Sequence, residues 1–183
     1  NSSRKLALNK VIVPRRNLLG EEGDHIWYVF QVVAPYFLLA MAGTYLGIAS
    51  AALEEARQHL IKREYTQTGG NLAQLPVLQH RLGCLWGKLE RTRRLSYHAA
   101  MSFDNGDPDA LPAVFTAKAE VADCAVDMVN EVMTLMGGLG YREGSLIQKL
   151  LRDARAAHVM APTTDVLRVW TGRALLGQPI LSA

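Results

Sequence analysis

Residues 152–177 read RDARAAHVMAPTTDVLRVWTGRALLG: a basic helical segment, a Pro-Thr-Thr-Asp turn, and a second helix with further arginines. Thr163 or Thr164 is placed to cap that helix, and Asp165 falls in its first turn, where a carboxylate complements the helix dipole. The free backbone N–H groups of such a helix start can equally hold an anion or the edge of a polar ring. Met160 and Ala161, just ahead of the turn, carry no titratable group, so no proton can be moved there. MGGLGYREG is the second candidate. Its glycines, Gly137, Gly138 and Gly140, follow a long amphipathic pattern and suit a helix C-cap, but they also let a backbone approach a flat or phosphorylated ligand.

Other chemistries find little support. The histidines at 25, 59, 80, 98 and 158 show no HxxxH or ExxH pairing. Glu54 and Glu55 precede His59 without a matching second motif, so no metal site is expected. There is no GxSxG elbow, and the serines have no local base. Cys84 and Cys124 lie far apart in apolar helical patterns and read as buried free thiols, which suits a reducing, cytoplasmic compartment. The net charge of +3 is mild, with both signs interspersed and no aromatic-basic stripe, which argues against a nucleic-acid partner.

The 183 residues suffice for one well-packed domain, and the 49% hydrophobic and 20% charged content is that of a globular chain. KLALNKVIV, residues 5–13, reads as strand or extended material, and PRRNLLGEEGD after it as turn. This segment cannot pack alone. Helical elements follow at about 25–66, with a break near Pro35 and a stop at Gly69-Gly70, then at 74–104, 109–136, 144–158 and 163–176. The chain has no charged residue from Ile26 to Leu53. Such a run is long enough to span a bilayer, but Gln31, Pro35, Thr44 and Ser50 and the lack of a second such segment favour a bundle helix enclosed by its neighbours, with no membrane. The fold class is all-α: an antiparallel up-and-down four-helix-type bundle with a short extended N-terminal segment.

Several segments, in this order, resemble the C-terminal helical domain of the acyl-CoA dehydrogenase family of flavoenzymes. They are VIVPRRNLLGEEG, AGTYLGIASAALEEARQHLIKRE, LAQLPVLQHRLGCLWGKLERTRRLSYHAA, LMGGLGYREGSLIQKLLRDARA and PTTDVLRVWTGRALLG. They cover nearly the whole chain. The resemblance implies that residues 1–23 are the tail of a middle β-domain and its linker, and that 24–183 form the C-terminal bundle of a longer, homo-oligomeric, FAD-dependent protein. The chain alone is then expected to be inactive and to hold FAD poorly.

By the same resemblance, Arg63 meets the FAD pyrophosphate across a subunit interface, Gln79 lies near the cofactor, and Gly137 and Gly138 admit the partner's adenine end. Thr134 stands where many members have glutamine. Thr163 and Asp165 match FAD-contacting positions after the turn. The implied default activity is α,β-dehydrogenation of an acyl-CoA thioester, in which a glutamate ahead of a Gly-Thr pair removes the α-proton. Here Ala161 occupies that place and Pro162 the glycine, so no catalytic residue is assigned. The alternative base position, around Phe37 and Leu38, is apolar too, and a family arginine in that stretch is missing. A flavin-dependent monooxygenase or other redox enzyme on this fold, and a non-catalytic oligomerisation subunit, are the alternatives.

Overall fold

The computed structural model describes residues 4–64 and 69–181. Among these residues, besides two three-residue 3-10 turns, six helices follow one another: α1 (His25–Lys62), α2 (Pro76–Asn105), α3 (Ala110–Met136), α4 (Gly138–Tyr141), α5 (Leu146–Val159) and α6 (Thr164–Leu175). No strand occurs among the described residues. Residues 4–14 adopt no regular structure and leave Leu6, Leu8, Val11, Ile12 and Val13 exposed.

The break expected near Pro35 does not occur. The helix passes through it, widened to a π-turn at Tyr28–Val33. Proline cannot donate an N–H, and its ring crowds the preceding turn; a wider turn just upstream accommodates both without interrupting the rod. The far end of α1 also differs: it stops at Lys62, not at 66, and residues 65 and 66 lie outside the described set. Arg63 is extended, its carbonyl accepts the Leu72 N–H at 3.0 Å, and Glu64 bridges antiparallel to Asn71. This short-range pairing ends the helix before the glycines are reached.

The enclosed helix is α3, not α1 with its uncharged run from Ile26 to Leu53. α3 packs against α1, α2, α5 and α6, and its buried residues, among them Val114, Phe115, Lys118, Val121, Cys124, Met128 and Val132, face all of them. α1 buries one stripe at helical spacing: Leu38, Ala42, Tyr45, Ala49, Ala52, Ala56 and Leu60. Its small alanines let the axes of α1 and α3 come close. The opposite side of its first half, with Val29, Val33, Tyr36 and Phe37, stays exposed. By length and composition α1 is the one described helix that could cross a bilayer, yet its buried stripe runs along α3.

Two clusters make the core. The larger joins α1, α2, α3 and α5 around Val129 and Ile147. The smaller gathers Leu38, Ala99, Val114, Phe115 and Leu167 at the other end. There the Trp170 ring lies 5.6 Å from Phe30 and 5.5 Å from Phe115, locking α6 onto α1 and α3. Complete burial of Leu167 contributes about 1.5–3 kcal/mol to that joint. Cys124 is buried as expected, but Cys84 is exposed, because it sits one position off the Leu85–Leu89 stripe by which α2 packs.

Candidate functional site

Two places bring the sequence candidates forward, one at the C-terminal end of α3 and one against Lys118 and Asp123 in its first half. The first is a cleft of about 630 Å³ between the end of α1 and the end of α3, lined by His59, Arg63, Leu72, Met136, Gly137, Gly138, Tyr141 and Arg142. Arg63 and the glycine pair, more than seventy positions apart in the chain, therefore converge. Gly137 has φ +59° and ψ −144°. That conformation is essentially glycine-only. A Cβ on Gly138 would meet nothing within 4 Å and would project into open space. Two arginines, a backbone free of side chains and the half-buried His59 suit a flat, anionic ligand. Burial, aided by the nearby Arg63 charge, holds the His59 pKa below its ordinary 6.5, with Glu55 opposing.

The second place is the turn between α5 and α6. Thr163 is the N-cap of α6; its hydroxyl accepts the Val166 N–H at 3.5 Å. The neighbouring Thr164 is buried, and its hydroxyl has no partner. Asp165 points to solvent, 97% exposed, with Arg168 at 4.0 Å. Two of the arginines in this stretch are engaged structurally. Arg168 pairs with Asp123 of α3, and Arg173 donates to the Ile180 carbonyl at 2.8 Å. Ala161 is exposed ahead of the cap. From α1, the Tyr45 hydroxyl donates to the Met160 sulfur at 3.0 Å; burial, then Asp153, raises the Tyr45 pKa.

Gln79 and Thr134 stand apart from both places. Gln79 donates its side-chain N–H to the Ala73 carbonyl at 2.9 Å, in a groove between α1 and α2 shared with Arg57 and Leu82. Thr134 bonds its own helix at the Asn130 carbonyl, 3.1 Å away. Phe37 is exposed and Leu38 fully buried, and neither carries a titratable group. Among the described residues no three metal-ligating side chains gather.

Sequence reasoning missed Lys118. It is 1% exposed, and its ammonium donates to the carbonyls of Ala157 (2.9 Å), Pro162 (3.0 Å) and Met160 (3.5 Å). Burial lowers its pKa. The available signal was register: Lys118 sits on the same stripe as Val114, Val121 and Ala125, where only apolar residues are otherwise found.

The architecture defines a class: an antiparallel helical bundle with a basic, glycine-floored cleft at one end of α3 and a capped turn against its first half. Residues 27–176 match the family model described as acyl-CoA dehydrogenase, C-terminal domain, and the chain belongs to that family. It is 29% identical over 172 residues to a cyclohex-1-ene-1-carbonyl-CoA dehydrogenase of Geobacter metallireducens, covering 94% of this chain and 44% of that protein. It is 30% identical to a short-chain specific acyl-CoA dehydrogenase of Megasphaera elsdenii, covering 96% and 45%. The solved butyryl-CoA dehydrogenase of Megasphaera elsdenii superposes with a TM-score of 0.82 at 30% identity, covering 90% of this chain and 42% of that one. The chain thus spans less than half the length of the relatives it matches.

Proposed function

We propose that this chain is the cofactor-facing C-terminal bundle of a longer, homo-oligomeric, FAD-dependent oxidoreductase acting on an acyl-CoA thioester by α,β-dehydrogenation. The observation that carries this reading is the convergence of Arg63, Gly137 and Gly138 in one cleft. Arg63 and Arg142 would hold the pyrophosphate of FAD, and the bare backbone at Gly138 would take its adenine end. Bound FAD would supply the hydride acceptor. Along α3 the cleft and the Thr163 turn lie about 28 Å apart, from the 1.5 Å rise per residue. That separation fits a cleft serving a partner subunit's cofactor and a turn serving the chain's own. The exposed apolar face of α1 and the exposed Leu6–Val13 segment would then be covered by the remaining domains, with residues 1–23 as the connecting tail.

A second reading rests on Ala161. With no proton acceptor there or at Phe37 and Leu38, a flavin enzyme that activates oxygen, and needs no α-proton base, suits the turn better. One experiment separates the readings in the full-length protein. Bleaching of bound FAD by acyl-CoA without oxygen supports dehydrogenation. Oxygen-dependent turnover with supplied reduced flavin supports the second reading. A colourless oligomer that takes up no FAD defeats both and leaves an assembly role.

A further inference from the structure

We propose that Lys118 is a positioning residue that fixes the segment from Met160 to Thr163, and with it one wall of the flavin-facing site, by donating to three backbone carbonyls across the α5–α6 turn. The placement of the segment stands on geometry alone; its consequence for the site rests on the reading above.

A lysine ammonium has three donors and no acceptor. Here it meets three carbonyl oxygens: Ala157 in the last turn of α5, Met160 at its end, and Pro162 just before the Thr163 cap. The donor count and the acceptor count match. Burial is what lowers its pKa. An isolated buried charge is costly. Two features offset that cost: charge-assisted hydrogen bonds, and the negative end of the α5 dipole, which favours a cation near its last carbonyls.

α5 and α6 touch each other little, and each lies mainly on α3. Buried Leu167 and the Arg168–Asp123 pair hold α6 on α3, but they act beyond the Thr163 cap. The backbone of Met160–Pro162 still has to be referred to α3. Lys118 does so from the middle of the core face, gripping the chain on both sides of Ala161. Tyr45 reaches the Met160 sulfur rather than the backbone, and the Thr163 hydroxyl serves only α6, so neither duplicates the lysine.

Nuclear magnetic resonance on the isotope-labelled full chain tests this. The Lys118 ammonium is expected to exchange slowly with water and to show through-hydrogen-bond coupling to the carbonyl carbons of Ala157 and Pro162. An ammonium exchanging as fast as those of exposed Lys62 and Lys149 would overturn the assignment. In Lys118→Met, which keeps the stem and removes the donors, amide protection at Met160 and Leu167 should fall at least tenfold, while Met128 and Val129 in α3 keep theirs. Equal loss in α3 and the turn, or no loss at the turn, contradicts a positioning role. If that variant does not fold, the ammonium measurement on the unmutated chain decides. FAD titration is read separately: a firm turn in a protein that never takes up FAD keeps the lysine assignment and removes only the flavin reading.

Discussion

Gly137 and Gly138 are neighbours with opposite requirements, and replacing each by alanine should move stability in opposite directions. Gly137 sits at φ +59°, ψ −144°. An L-residue held there costs on the order of 1–3 kcal/mol. Gly138 begins α4 with no positive φ, and its added Cβ meets nothing within 4 Å. There the unfolded chain loses freedom while the native state is untouched, a gain of up to about 0.5–1 kcal/mol. For a domain of this size each kcal/mol moves Tm by about 2–4 °C. Gly137→Ala should therefore melt roughly 4–8 °C lower, taking about 2 kcal/mol, and Gly138→Ala level with the parent or up to roughly 4 °C higher. Urea midpoints and thermal scans on the chain measure both. The functional half of the prediction has the reverse sign for Gly138: in the full-length protein the stabler variant should retain FAD less well, because its new methyl group occupies the cleft. Equal destabilisation by the two substitutions would refute the backbone argument. Undiminished FAD retention by Gly138→Ala would refute the cleft as a cofactor surface.

Three further outcomes follow from the same geometry. Ala161→Glu in the full-length protein should create or raise bleaching of bound FAD by acyl-CoA; no change despite confirmed acyl-CoA binding would remove residue 161 from the base position. The His59 pKa is depressed on folding, so as pH falls the unfolded chain binds that proton first. The stability it contributes is present above about pH 6.5 and is lost as pH drops through the folded value. His59→Gln should flatten that part of the profile, read from urea midpoints between about pH 7.5 and 5. Tyr45→Phe removes one hydrogen bond to a weak sulfur acceptor, and should cost no more than about 1 kcal/mol in urea unfolding; a loss several times larger would mean that the hydroxyl has another task.

What was legible in the sequence was whatever local pattern decides. Apolar spacing and the Pro and Gly signals located five helices to within a few residues, and the Ser/Thr-Asp logic narrowed the α6 cap to Thr163 or Thr164, of which Thr163 takes it. Most failures came from pairing and packing that no residue-by-residue preference encodes. The stop of α1 at Lys62 goes with Arg63 pairing to Leu72, nine positions on, which no single-residue preference encodes. The charge-free run Ile26–Leu53 marked α1 as the enclosed helix, but enclosure depends on how many neighbours a helix has, and that place went to α3. The four-residue α4 is too short to register as a period. Lys118 reads as one more polar residue in TAKAEVAD until the carbonyls forty positions downstream are folded against it.

The turn presents an asymmetry that bears on the chemistry. Everything that locates it is in place: the ammonium of Lys118 on three carbonyls, the Tyr45 hydroxyl on Met160, and the Thr163 cap on the first turn of α6. What it lacks is a titratable group at the position that these contacts fix. A buried lysine is expensive to maintain when its only product is a loop, because an apolar side chain of the same volume would serve packing at least as well. Precise support for an alanine is of use where backbone or shape at that point matters and proton abstraction does not. That argument favours a flavin site that recognises its ligand through the wall at Met160–Pro162 and leaves the proton to another group, or one that oxidises without removing an α-proton at all. The two cases part on one measurement in the full-length protein: loss of deuterium from the α-carbon of bound acyl-CoA to solvent, without oxygen, means that another group takes the proton, whereas full retention of that deuterium alongside oxygen-dependent turnover means that the second case stands.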